Sequence, residues 1–118
     1  EQEKAMLHAG LDKNIVDITT VLRPALCLVD GSYAVQRGGF KFGVWVGCPP
    51  DRMDLMVAGY DPVATDTICT GLLDRNPAQV HYLNLAAAQN LGVNNPARIE
   101  VVTDGFDYPD RCLTHSRG

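Results

Sequence analysis

The sequence predicts an α/β domain: a small, mostly parallel sheet flanked by helices, with a glycine-rich hairpin or loop inserted in it. Three observations carry this expectation. Short apolar runs recur near residues 25–30, 54–59 and 98–103. The first two are continuous rather than alternating, as strands covered on both faces are. Helix-start signals fill the interval between the second and third runs, which is long enough for a right-handed parallel crossover. Each run also ends in an acidic or turn-forming signal: Asp30-Gly31, Gly59-Tyr60-Asp61 and Asp104-Gly105.

Taken in order, residues 1–9 are good helix formers, and Gly10 is placed to end them. Asp12 is a fitting N-cap for a second helix over 13–22, with Ile15, Ile18 and Leu22 on one face. Pro24 forbids its continuation. The strand Ala25–Val29 follows. Gly38-Gly39 can close a hairpin between 33–37 and 40–46, and a long glycine-rich loop is the competing reading. Leu55–Gly59 is the next strand.

Asp61-Pro62 then starts a helix with unusual clarity. A residue before proline is extended, as an N-cap requires, and proline is at home at N1. The helix is expected to run to about Leu73. Ala64, Ile68, Gly71 and Leu72 face the sheet, while Asp66 points elsewhere, towards a second layer. Asn76-Pro77-Ala78-Gln79 repeats the start signal as a capping box. Val80, Leu83, Ala87 and Leu91 give the next apolar stripe, and Gly92 is placed as its C′ residue. The third strand is expected over 99–103. One α/β domain is expected over residues 1–105, complete or a piece of a larger one, with 106–118 a loose tail. A chain beginning at Glu1 without a Met is expected either of a piece of a longer protein or of a trimmed one.

The chain has 118 residues, 46% of them hydrophobic and 20% charged, which suits one globular domain. A net charge of −4 argues against nucleic acid as a partner. No apolar run approaches the ~20 residues that span a bilayer. Cys27, Cys48, Cys69 and Cys112 show no C-x-x-C spacing, so four unlinked thiols in a cytoplasmic protein are expected. No iron–sulfur cluster is expected on this chain alone.

If the three strands are parallel, Asp30, Gly31, Asp61 and Asp104 lie on one carboxyl edge, where open α/β sheets bind ligands. Asp66 adds a carboxylate that capping does not explain. Asp30 and Asp66 are the candidate ligands of a hard cation such as Mg²⁺. Arg37 and Lys41 are candidate contacts for an anion in an otherwise acidic protein. Turn and cap chemistry alone also places Asp after strands. No dinucleotide, P-loop or nucleophile-elbow motif is present, so no cofactor or catalytic residue is named. A rival expectation is an interaction or dimerisation module built on Tyr33, Phe40, Phe42 and Trp45.

The runs Asn14-Ile15-Val16-Asp17, Pro24 to Gly31, Val57 to Asp66, Tyr82-Leu83 and Ala88 to Gly92, in this order and spacing, resemble the C-terminal half of the domain of unknown function 362 family over roughly residues 8–103. Asp30, Gly31, Asp61 and Asp66 match that pattern residue by residue. The resemblance implies a redox-associated cytoplasmic protein that accompanies ferredoxin-like iron–sulfur modules. Its implied partners are such a module or an N-terminal half, with a homo-oligomer as a further expectation. Residues 35–43 depart from the family's acidic glycine-proline loop: Val35-Gln36-Arg37-Gly38-Gly39-Phe40-Lys41-Phe42-Gly43 loses the acid and gains two cations.

Overall fold

The computed structural model describes residues 2–35, 38–41, 44–47 and 50–104, with the backbone alone for 2–9, 38–41 and 45–47. The order is α1 (Gln2–Leu22), β1 (Cys27–Ala34), β2 (Gly38–Lys41), β3 (Val44–Gly47), β4 (Asp51–Gly59), α2 (Pro62–Leu72) and α3 (His81–Ala88). Short 3₁₀ turns cover Pro77–Gln79 and Pro96–Arg98. The expected tail, 106–118, lies outside the described residues.

The N-terminal segment is one helix, not two. Gly10 does not end it, and nothing lies within 4 Å of where its Cβ would be. The helix stops as Pro24 requires. Arg23 takes a left-handed φ of 43°, and its N–H closes the last turn on the Thr19 carbonyl at 3.0 Å. Thr19 and Thr20 donate their hydroxyls to the carbonyls of Ile15 and Val16. That bonding lets β-branched polar residues sit in a helix. Among the α1 residues whose side chains are described, Val16 is the buried one, while Ile18 and Leu22 of the expected apolar face are exposed.

The sheet corrects the predicted fold class. The chain is α/β in content, but β1 pairs with β4 antiparallel, from Cys27↔Gly59 to Ala34↔Asp51. Among the described residues this sheet has two strands. The physical reason lies in the connection. A parallel pair needs a crossover, usually helical, whereas an antiparallel pair needs only a return. The described residues between 35 and 50 carry a second antiparallel pair, β2 with β3, and no helix. That nested pair is the glycine-rich hairpin. Its ladder runs from Gly38↔Gly47 to Lys41↔Val44, so Gly38-Gly39 lies within an arm and does not close the turn.

The register slips between Gly31 and Tyr33, so Met53 and Asp54 of β4 stand against Ser32 alone. Asp54 takes φ 54° there. This is a β-bulge, which bends the strand and interrupts pairing. The expected strand over 99–103 is also corrected. Ile99 is extended (φ −106°, ψ 119°), but residues 99–103 pair with no described strand.

The core forms where α1, α2 and α3 meet. Val16, Val63, Leu83 and Ala86 are its buried centre, with Val80, Leu85 and Leu91 around them. Burying a Val or Leu side chain contributes roughly 1.5–3 kcal/mol. The expected third helix divides in two. Asn76 caps a 3₁₀ turn through the Ala78 N–H, and Val80 is extended before α3 begins. Its left-handed C′ residue is Asn90 (φ 57°), not Gly92.

Among the described residues, only one face of the β1–β4 sheet is covered. Cys27, Val29 and Gly31 on β1, and Leu55, Val57 and Gly59 on β4, are half-buried on the side of α2. The alternate residues face outward. Leu28 is 65% exposed and Met56 72%. Ala58 and Asp30, their cross-strand partners, are exposed as well.

Candidate functional site

The turn from β4 into α2 is held by a set of side-chain hydrogen bonds. Gly59 lets the strand run close to the helix, since a Cβ there would overlap Thr65 Oγ1. Thr65 Oγ1 in turn donates to the Asp61 carbonyl at 2.7 Å. Asp61 is extended (φ −97°, ψ 111°) and caps α2 as its sequence requires. Its Oδ1 accepts the N–H groups of Val63 and Ala64, both at 2.9 Å. Its Oδ2 accepts the N–H of Val93, also at 2.9 Å. Gly92 permits that approach, because any Cβ there would collide with the carboxylate. Tyr60 projects into solvent from the same turn.

Asp66 is half-buried between α2 and α3, where it accepts a hydrogen bond from Tyr82 Oη at 2.7 Å. Burial, followed by that bond to the carboxylate, pushes the Tyr82 phenol well above its ordinary value. The phenol therefore keeps its proton, donates its hydrogen bond to Asp66 and is a poor acid. Cys69 is pushed up to about 11, first by burial and then by the Asp66 charge. A thiol held protonated is a poor nucleophile.

Asp30 lies within β1, not at its end. It accepts from the Ser32 hydroxyl at 2.6 Å and the Ser32 N–H at 2.9 Å. Those bonds, hydroxyl first, lower its pKa. Alternation turns Asp30 towards the face away from α2. Gly31 packs against Leu55, whose side chain and carbonyl occupy the place of a Cβ. Asp104 is exposed on unpaired chain. The antiparallel register removes the common carboxyl edge: the C-terminal end of β4 lies beside the N-terminal end of β1. The structure thus places Asp61 with Val93, Asp66 with Tyr82 and Asp30 with Ser32. Among the described residues, no group of three His, Cys, Asp or Glu side chains could hold a metal ion. Arg37 lies outside the described residues, and Lys41 is described by its backbone in β2.

Two clefts flank the turn, and Tyr60 and Asp61 line both. One, of about 410 Å³, is walled by Ala58, Ala64, Ile68, Ile99 and Val101. The other, of about 570 Å³, lies among Thr19, Arg23, Gln89 and Asn90. A third, of about 210 Å³, sits under α2 beside Ala34, Leu55, Cys69 and Leu72. Tyr82 and the Gly92-Val93 contact were not legible as site residues, because their partners lie 16 and 32 residues away. Cys27 and Cys69 are free thiols, and no described helix is long and apolar enough to cross a membrane.

Fold and site together define a small α/β domain with an open antiparallel sheet and a tightly bonded strand-to-helix turn. The chain belongs to the family described as Domain of unknown function (DUF362), whose model matches residues 1–71. The match takes in α1, the four strands and nearly all of α2, with Asp30, Asp61 and Asp66. The α3 layer and Gly92 lie beyond it. No curated protein and no solved structure matches the chain.

Proposed function

We propose that the chain is a non-catalytic interaction module that presents the open side of its β1–β4 sheet to a partner polypeptide. One observation carries this: among the described residues helices cover one face of the strands, and the other face carries exposed Leu28, Met56 and Ala58 beside Asp30. Leu28, Met56 and Ala58 are adjacent through the register and face outward, continuous with exposed Leu26 and Tyr60. Apolar patches of this kind mark contact surfaces. The redox association, the iron–sulfur partner and the cytoplasmic setting rest on the family resemblance alone.

The test is a titration with anilinonaphthalene sulfonate, a dye that brightens on accessible apolar surface. The folded chain should bind it. The double variant Leu28→Lys/Met56→Lys should lose binding with an unchanged far-UV spectrum. A folded chain that binds no dye would overturn the reading.

A second reading has its own observation. The 570 Å³ cleft brings the exposed Arg23 guanidinium, the amides of Gln89 and Asn90, and Tyr60 around one space, as a small polar ligand would need. A fragment screen by amide NMR, with hits that shift these residues and vanish in Arg23→Ala, would favour it. Hits absent there would remove it.

A further inference from the structure

We infer that the C-terminal half of the β4 edge takes an extended segment of a partner protein, apolar with interspersed Lys or Arg, by strand addition. The inference goes beyond the docking reading above: that reading uses the open face, whereas this site is the β4 edge and the cleft beside α2.

The β1–β4 sheet has two strands among the described residues, so the outer edge of β4 is unpaired. Such an edge is a template for another strand. The bulge at Asp54 breaks the N-terminal half of that edge and leaves Leu55–Gly59 regular. At the C-terminal end of the regular half lies the 410 Å³ cleft, bordered by Ala58–Tyr60, by Leu26 ahead of β1 and by the run Ile99–Val102, which belongs to no helix or strand. Among the described residues no hydrogen bond involves Glu100, Val101 or Val102. A guest strand would therefore meet unpaired backbone on β4 and again on this run. Ala64 and Ile68 provide an apolar floor for its alternate side chains.

Charge specifies the guest further. The charged residues lining the cleft are Asp61 and Glu100, both acidic. The Asp61 carboxylate is bonded to three backbone N–H groups, whereas Glu100 is exposed with no described partner. The segment that complements this rim is basic.

The experiment is an amide NMR titration of the full chain with a short peptide alternating valine and lysine. The amides of Ala58–Tyr60 and Ile99–Val102 should shift together. A glutamate-for-lysine peptide should bind at least about tenfold more weakly. A peptide with proline at alternate positions should not bind, because it lacks the donors. Glu100→Lys should weaken the lysine peptide by a similar factor without unfolding the chain. Equal binding of the charge-reversed peptide, shifts confined to other residues, or edge amides already protected from exchange before peptide is added would each overturn the inference. If the dye still binds the open face while every peptide fails, strand addition falls and the docking module stands. If both fail, both fall.

Discussion

The Asp61 carboxylate joins two parts of the chain that lie 32 residues apart: Oδ1 starts α2, and Oδ2 holds the Val93 N–H at 2.9 Å. One side chain thus fixes where the helix begins and where the segment after α3 returns. Asp61→Ala should cost roughly 2–4 kcal/mol, the sum of a lost cap and an unsatisfied half-buried N–H. Asp61→Asn keeps an oxygen for the cap but presents an amide to Val93, so it should cost about half as much. Urea unfolding midpoints measure both. Gly92→Ala should destabilise too, and its effect should shrink in an Asp61→Ala background, since the two changes break one contact.

Alanine at Gly10 and at Gly59 should act in opposite directions. A Cβ at Gly10 meets nothing within 4 Å inside α1, so Gly10→Ala should stabilise by about 0.5–1 kcal/mol through helix propensity. A Cβ at Gly59 overlaps Thr65 Oγ1, so Gly59→Ala should destabilise and disturb the β4–α2 turn. Thermal unfolding of the two variants checks this.

Tyr82 sets an alkaline dependence. Its folded phenol is raised, first by burial and then by the bond to Asp66. The native state therefore keeps a proton that the unfolded state releases from about pH 10 upward. The stabilising contribution is whole below that value and is lost as pH rises further. Urea midpoints for wild type should fall more steeply between about pH 9 and about pH 11 than those of Tyr82→Phe.

Cys69 should label slowly. With its thiol near 11, the thiolate is scarce at neutral pH. Iodoacetamide should modify it at least about tenfold more slowly than a free cysteine. Asp66→Asn removes a neighbouring negative charge and should speed the reaction. Rapid labelling of Cys69 would contradict the burial described here.

The Asp61-Pro62 start of α2 was legible because its signals are local: proline fixes two residues, and Asp61 Oδ1 caps the next N–H groups, whereas the bond of Oδ2 to Val93 was not. The antiparallel pairing of β1 with β4 was not. Ala25–Val29 and Leu55–Gly59 are apolar on both faces, the pattern of a parallel sheet buried between layers. In this chain that pattern arises from Leu28, Met56 and Ala58 on a face its own helices leave open. Gly92 was read as a helix terminator because glycine commonly is one. Asn90 ends the helix, and Gly92 makes room for a carboxylate from a distant turn. Asp66 was expected beneath a second layer, and α3 provides it through Tyr82.

Paramagnetic relaxation of side-chain methyl signals by a soluble gadolinium chelate, on dilute protein, tests the open sheet most directly. The methyls of Leu28, Met56 and Ala58 should broaden strongly, while those of Val29, Leu55 and Val57 on the α2 side stay sharper. Equal protection of the two sets would mean that both faces are covered, and would contradict a surface kept open for a partner.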